Sequence, residues 1–564
     1  MSAVDSWLRR TLGRAGWPIA FAGAVVMALG TFMSWTYDPN IVENLTLYLY
    51  PAGPQVYTLL LALLAVVVLL AEGPLSRSLG SVLPGGAAAA RTAGLFSVLV
   101  VWLILVSIAV QLHGFINVDP GGWVSGVGAL ALFAGSRALP ERPRPVLDWR
   151  LPSAAQIVMI AVALLLLLIA AAYALGRSDA WVFIDFLVFL AGVVLMARNV
   201  GLLGYLAEAT ARLRRVTLLA AFISAFLFPF TQNGSDANMS IATQVLIFAT
   251  TAIGLNIVVG LAGLLDLGYI AFLGSGAYVG AILSASAFTH VGWHPPFIVV
   301  VLIGACVAAC FGLIIGSPTL RVSGDYLAIV TLAFGEIFRL TMNNLDGSNG
   351  PDLTNGPNGI PAIPDLELGG FDFGEPHTVL GIELGRFANY YFLLLVVIAF
   401  VVLAFARMND SRIGRGWVAI REDERAAEAM GVNTFALKLL AFAGGAFLAG
   451  LAGTIKAHHD VSVTPDQYQF LESAFLLSAV VLGGMGTVGG VLLGAVILKL
   501  LPEKLRFFSD YRLLLFGLLL VVMMRFRPEG MLASRRRQLE LHEEDEELAD
   551  ELEGQVADVE VAPR

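Results

Sequence analysis

Cysteine is almost missing from this sequence, with two residues in 564, so no disulfide framework staples the fold. The pair, Cys306 and Cys310, stands four apart in one apolar run, a spacing that stacks both on one helix face as small core residues. Metal chemistry lacks its ligands too: the adjacent His458 and His459 resemble a zinc fragment, but no third or fourth ligand accompanies them, and they read as loop histidines. No run of the form G-x-x-x-x-G-K followed by serine or threonine is present, so the chain has no P-loop to hold nucleotide phosphates. Paired catalytic carboxylates in a soluble domain and a nucleophile elbow are absent as well. If ATP drives anything here, another chain hydrolyses it.

Charge is scarce at 14%, against 57% hydrophobic residues, more apolar sequence than a soluble core absorbs. Runs such as "QIVMIAVALLLLLIAAAYALG" (156–176) are long enough to cross about 30 Å of hydrocarbon as a helix. Sixteen candidate spans lie near 17–36, 55–72, 93–112, 121–136, 154–176, 180–197, 216–231, 240–260, 268–288, 296–316, 324–341, 390–406, 437–457, 471–485, 488–501 and 513–526. The fold class is therefore all-α, a polytopic bundle of about sixteen spans (14–16), several of the later ones short, broken or re-entrant. The opening "SWLRRTLGRAGWPIAFAGAVVMALGTFMSW" has the basic start of a signal peptide but lacks a small-residue cleavage site, and reads as the first span.

Arginine and lysine accumulate in short cytoplasmic loops. Arg9, Arg10 and Arg14 place the N-terminus inside, and alternation puts Arg137, Arg142, Arg144 and Arg150 there too. The groups Arg198 to Arg215, Arg407 to Arg425 and Arg535 to Arg537 follow, so both termini are expected in the cytoplasm. Arg177, Lys504, Arg506 and Arg512 fall on the other side. The net charge of −9 belongs to the end of the chain, since residues 538–564 carry eleven acids against one arginine and leave about +1 for everything before them. That tail reads as a solvated, disordered end, with a partner-binding helix as the alternative.

Residues 1–236 supply about seven spans with no motif that can be attached to chemistry; Asp185 in "WVFIDFLVF" is an acid in an apolar run that would be costly facing lipid. From residue 238 glycine and polar residues move into the spans. "GLNIVVGLAGLLDLGYIAFLGSGAYVGAIL" (254–283) contains Asn256, Asp266 and Tyr269, and its glycines, Gly276 and Gly280 among them, suit either close helix contact or a break lining a protected path. Glu336 and Arg339 lie three apart on one helical face and suit an ion pair or a place on such a path. A stretch of about 47 residues, 343–389, holds seven acids and one arginine and is long enough for a folded cap or a contact with an external partner. In "LESAFLLSAVVLGGMGTVGGVLLGAVILKLLPE" (471–503), opened by Glu472, the glycines Gly486, Gly490 and Gly494 recur every four residues, favouring tight helix packing.

One dense polar block interrupts the later spans. In "REDERAAEAMGVN" (421–433), Asp423 caps a short helix on which Arg421, Glu424, Arg425 and Glu428 interleave opposite charges. Ala426, Ala427 and Met430 supply a small apolar face, Gly431 ends the helix in a left-handed conformation, and Thr434 offers an N-cap for the next span. Such a helix suits insertion into a groove on another protein; local physics equally allows a helix lying on the membrane.

In order along residues 238–532, "GLNIVVGLAGLLDLGYIAFLGSGAY", "LRVSGDYLAIVTLAFGEIFRL", "GPNGI", "IREDERAAEAMGVN", "LESAFLLSAVVLGGMGTVGGVLLGA" and "YRLLLFGLLLVVMMRFRPEGML" resemble the permease family of branched-chain amino acid ABC transporters, the LivM type. The resemblance implies a transporter subunit, not an enzyme, in a bacterial or archaeal cytoplasmic membrane. It would work with a second permease of LivH type, two cytoplasmic ATPases that use ATP and Mg, and an extracytoplasmic binding protein, and would bind no cofactor and no nucleic acid itself. It also makes 421–433 the loop that couples to the ATPases; ABC importers there show a loose E-A-A-x-x-x-G pattern, and here Arg425 replaces the acid before Ala426, Ala427 and Gly431. Asn256, Asp266, Tyr269 and Glu336 become candidates for the path. The chain then reads as an extension over 1–236 of unassigned role, a permease domain over 238–532 and a tail over 533–564. Urea or short amides are the alternative cargo; an ion-coupled carrier acting alone, or a membrane sensor or scaffold, are the readings from other classes.

Overall fold

The computed structural model describes residues 3–76, 85–140, 147, 149, 151–177, 179–284, 292–319, 326–348, 350–379, 381–504, 512–526 and 530–532. Arg142, Arg144, Arg150, Arg506, the acidic tail and the 320–325 part of the "LRVSGDY" motif lie outside them. Contacts divide the chain into two units, Met1–Gln232 with Lys504–Phe507, and Asn233–Glu503 with Phe508–Arg564.

The first unit contains α1 Ala3–Leu12, α2 Gly16–Gly30, α3 Pro54–Glu72, α4 Gly86–Gln111, α5 Pro120–Arg137, α6 Ser153–Leu175, α7 Ala180–Asn199, α8 Leu202–Arg212 and α9 Arg214–Leu227. Its tightest joint is a glycine seam. Gly16, Gly23 and Gly30 recur every seven residues on α2, and Gly121, Gly128 and Gly135 do so on α5. The helices run antiparallel, so that a Cβ on Gly23 would stand 2.4 Å from the Leu132 nitrogen, and one on Gly128 or Gly135 equally close to the nitrogens of Met27 or Ala20. Backbone therefore packs on backbone, the geometry by which helices associate where lipid offers no hydrophobic driving force. Asp185 lies buried in the second turn of α7, and neither carboxylate oxygen has a hydrogen-bond partner among the described residues.

The second unit contains α10 Asp236–Asn256, α11 Ile270–Leu283, α12 Phe297–Thr319, α13 Tyr326–Asn344, α14 Arg386–Asn409, α15 Arg412–Glu422, α16 Glu424–Ala429, α17 Thr434–Asp460, α18 Phe470–Gly483, α19 Val488–Lys504 and α20 Arg512–Phe526. Helix α17 is its axis. On one side Gly276 of α11 meets Gly450, where an added Cβ would stand 2.1 Å from the Gly450 carbonyl oxygen; on another, Gly450 lies against Gly304 and Ala305 of α12. Each of the sixteen stretches expected to span overlaps one of these helices, and among the described residues nine are long and apolar enough to cross a membrane, with α2 and α11 apolar but shorter. The protein is a polytopic helical membrane protein.

The long stretch before α14 is folded. Two short antiparallel hairpins, Glu367–Leu368 with Phe371–Asp372 and His377–Val379 with Ile382–Leu384, sit in it, and Leu366 and Phe373 join a core with Ile247, Tyr390, Leu394, Leu451 and Ile455. Arg386 holds it down, its Nε 2.6 Å from Asp365 Oδ1 while its other nitrogens donate to the carbonyls of His458 and His459.

Three expectations fail locally. His458 and His459 are not loop residues: they are buried in the last turn of α17, where His458 Nδ1 lies 2.9 Å from the Pro364 carbonyl oxygen and His459 Nδ1 2.6 Å from Asp460 Oδ1. Cys306 and Cys310 do share a face of α12, but the exposed one, because Gly304, Ala305 and Ala308 occupy the side turned to α17. Gly486 does not continue the glycine face of α19; it sits in the preceding turn with φ +78°, leaving Gly490 and Gly494 to pack against Gly483 and Ala479 of α18.

The α2–α5 seam gives a direct test. Gly128→Leu should destabilise the first unit by at least about 3 kcal/mol through overpacking, seen as a lower unfolding temperature and loss of the monodisperse chromatographic peak. Gly204→Leu, at an open position on α8, should leave both unchanged.

Candidate functional site

Helix α10 does not end cleanly. After Asn256 it loosens into a π-helical turn, Ile257–Leu261, and the chain then runs unwound through 262–269 before α11 starts. Nearly all of this stretch is buried, so each backbone group it frees needs a protein partner. Leu267 donates its N–H to Thr331 Oγ1 of α13 at 3.0 Å, Gly268 to Asp266 Oδ1 at 2.9 Å, and Ile270 to Ser473 Oγ of α18 at 3.0 Å. Tyr269 donates its hydroxyl to the Gly445 carbonyl of α17 at 2.6 Å.

A second break lies between α18 and α19, at 484–487, where Gly484 and Gly486 both take positive φ, open to glycine without strain. The two breaks are joined by one side chain. Asn256 Oδ1 accepts the Gly486 N–H at 2.8 Å, and its Nδ2 donates to the Thr487 carbonyl at 3.5 Å. Gly530 packs its backbone onto Gly484, and Met531 and Leu532 donate to the carbonyls of Leu482 and Gly483, which places the end of the last motif on this turn.

The charged block approaches the first break directly. Arg421 donates from Nη1 to the Gly260 carbonyl at 3.0 Å, and Gly263, with φ +70°, lies so close that an added Cβ would be 2.5 Å from Arg421 Cγ. Arg421 therefore belongs to the last turn of α15 and not to the short helix, from which the β-region conformation of Asp423 separates it. Asp423 does cap α16, accepting from Ala426 N at 3.0 Å, and Gly431 ends it at φ +83°. Ala427 does not share an apolar face with Met430. It points into the protein at 5% exposure, whereas Met430 stands out at 84%, surrounded by the exposed Arg425, Ala426, Glu428 and Ala429. Asn433, not Thr434, caps α17.

Both short helices are fastened to α17. Trp417 of α15 is fully buried and donates its indole N–H to the Leu437 carbonyl at 2.7 Å; Glu424 of α16 pairs with Lys438. A displacement of the block must therefore be felt by α17 and by the break at Gly260 together.

Of the residues expected on the path, Asn256, Asp266 and Tyr269 gather at these breaks. Glu336 does not: it makes a forked pair with Arg339, whose Nε donates to both carboxylate oxygens at 3.1 Å, and Arg339 reaches Asp466 as well. Residues 238–524, just over half of the chain, match the family described as branched-chain amino acid transport system / permease component. The chain belongs to this family. It is 39% identical over 342 residues to the high-affinity branched-chain amino acid transport system permease protein LivM of Salmonella typhimurium, covering 58% of this chain and 77% of that one. The LivH permease protein of the same transport class in Escherichia coli K12 is 25% identical, over 50% of this chain and 91% of its own. A ribose import permease, RbsC of Haemophilus influenzae, is 27% identical, over 51% and 83%. No solved structure is significantly similar to the chain.

The permease region also carries functional candidates that spacing and composition did not single out. A cavity of about 220 Å³ is lined in part by Lys456, Asp460, Glu472 and Lys499. Only Glu472 stands out in the sequence reading. Lysine in an apolar span is itself a signal, because an intramembrane charge is retained only with a partner or a task. Thr331 and Ser473 carry no such mark: a hydroxyl that serves a neighbouring helix looks in sequence like any other.

Removing either hydrogen-bonding side chain at the breaks should cost about 1–3 kcal/mol, the penalty of a buried N–H left without an acceptor. Asn256→Leu and Thr331→Val should each lower the unfolding temperature of the purified protein, while Cys306→Ser, on the exposed face of α12, should not.

Proposed function

We propose that this chain is one of two membrane subunits of an ATP-driven importer of branched-chain or related amino acids, seated in a cytoplasmic membrane. Its partners are a second permease, two ATPases bound on the cytoplasmic side and an external binding protein that delivers the substrate. The ATPases use ATP and Mg; this chain binds neither and needs no cofactor of its own. Family membership and the names of its relatives support the substrate class. The single observation that carries the mechanism is the bond from Arg421 to the Gly260 carbonyl.

The exposed side of α16, with Arg425 and Glu428 on the helix and Met430 at its C-terminal end, is the docking surface for an ATPase. When ATP binding closes the ATPase pair, α16 and α15 move with it. Trp417 and the Lys438–Glu424 pair carry that motion to α17, and Arg421 carries it to the unwound stretch between α10 and α11. Two ties to one moving element bias the bundle between two arrangements of its broken helices, as alternating access requires. Asn256, through its bonds at 484–487, makes the second break follow the first. Asp266 and Tyr269 hold the unwound stretch in shape, and Glu336 fixes α13 through Arg339 rather than meeting the substrate.

Docking and transmission separate experimentally. Met430→Asp places a charge on the exposed tip and should abolish co-purification of the ATPases. Arg421→Met should leave the ATPases bound but reduce substrate-stimulated ATP hydrolysis and amino acid uptake by roughly tenfold, the consequence of losing a coupling energy of about 1–3 kcal/mol. ATPases that remain bound to Met430→Asp, or a fully coupled Arg421→Met, would reject the assignment.

A further inference from the structure

The cavity of about 220 Å³ has apolar and charged lining, together with the amides of Gln244 and Gln467. Ile247 and Phe248 of α10 with Ile270 and Leu273 of α11 are apolar; Lys456 and Asp460 of α17, Glu472 of α18 and Lys499 of α19 are charged. The charges form two ion pairs that are not equivalent. Lys456 Nζ lies 2.5 Å from Asp460 Oδ2 and also donates to Gln467 Oε1 at 3.2 Å, while the other oxygen of Asp460 faces His459 Nδ1 at 2.6 Å. This pair is held from both sides. Lys499 and Glu472 share one contact of 3.3 Å between adjacent helices, their side chains are 31% and 34% exposed, and the Lys499 ammonium stands 4.6 Å from the Phe248 ring centre.

We propose that this cavity binds the transported aliphatic amino acid as a zwitterion, inserted between Lys499 and Glu472. This rests on the reading of the chain as an amino acid importer permease. The substrate carboxylate takes Lys499, its ammonium takes Glu472, and its side chain lies against Ile247, Phe248, Ile270 and Leu273. Charge bookkeeping favours this ligand class: a zwitterion replaces one ion pair by two and leaves neither half-buried charge without a partner, whereas an amine or an acid alone strands one member of the pair. The Lys456–Asp460 pair, held by its neighbours, stays closed and keeps the remainder of the site neutral. The same four apolar residues give an aliphatic side chain a wall to lie against.

The test uses the complete transporter in proteoliposomes with leucine as the probe. Lys499→Met and Glu472→Gln should each reduce uptake by roughly tenfold or more, as a site built for a polar group does when one side of the match is missing. The charge swap Lys499→Glu with Glu472→Lys rebuilds the ion pair but reverses its polarity, and should not restore uptake in an intact complex. Uptake restored by the swap, or unaffected by the single changes, would show a structural pair only and overturn the proposal. A second measurement does not depend on variants. Leucine bound to the original permease–ATPase complex, without binding protein, should be displaced by unlabelled leucine and not by isoamylamine or isocaproic acid; displacement by either, or no leucine binding, would overturn it. If the original transporter takes up no aliphatic amino acid at all, the importer reading itself fails, a result distinct from uptake that ignores Lys499 and Glu472.

Discussion

A backbone unwound inside an apolar bundle has no water to turn to, and the second unit is organised around meeting that demand. The stretch from Asn256 to Ile270 gives up helical hydrogen bonds and recovers backbone partners from three other elements, Thr331 on α13, Ser473 on α18 and Arg421 on α15, while the Tyr269 hydroxyl ties it to the Gly445 carbonyl of α17. Each of these bonds is ordinary in strength. Their combined effect is that none of those elements can shift without leaving a buried polar group unpaired, at a cost of about 1–3 kcal/mol each. The breaks are thus the point where the bundle is most constrained, and also where a small push has the most partners to rearrange.

That dual character explains why the charged block sits where it does. A loop that merely displayed charge would need no buried side chain, yet α15 sends Trp417 fully inside and turns Arg421 onto a carbonyl of the π-helical turn. The half of the block around Met430 is exposed; the buried half is committed to the break and to α17. An inward grip beside an exposed surface is what the proposed transmitting role requires of so short a segment.

Much of this was legible from the residues. Glycine and polar residues inside the 254–283 run allow the first break as one of two readings, Asp423 and Gly431 mark both ends of a short helix, and the spacing of Glu336 and Arg339 allows the pair that forms, whereas the second break hides in a glycine spacing that reads as helix packing. What sequence could not supply was the identity of partners far along the chain. Arg421 and Gly260 are 161 residues apart, and Asn256 and Gly486 are 230 apart; no local periodicity connects them. The errors have the same origin. Cys306 and Cys310 read as core because their span is apolar, but in a membrane helix the lipid-facing side is equally apolar, so hydrophobicity no longer tells inside from outside. Ala427 and Met430 are alike in type, but Met430 lies just past the end of a six-residue helix, so the two need not share a face. The heptad glycines of α2 and α5 were visible all along, and only their pairing in space gave them meaning.

Glycine serves two opposite purposes in the chain, and the difference bears on where cargo is chosen. In the α2–α5 seam and along α17 it removes side chains so that backbones lock together, which fixes shape and carries no chemical information. At Gly263, Gly484 and Gly486 it permits positive φ, which makes the breaks. Neither use recognises a substrate. On the proposed reading, selection within the membrane therefore rests on side chains and not on these glycines. The charged lining of the 220 Å³ cavity has that task on the same reading: Lys456 pairs with Asp460 and Lys499 with Glu472, apart from the Asn256 and Arg421 bonds that hold the breaks. Changing those four would alter what the cavity attracts while leaving the Asn256 and Arg421 linkages intact, which is the separation of cargo from coupling that lets one architecture serve several substrates.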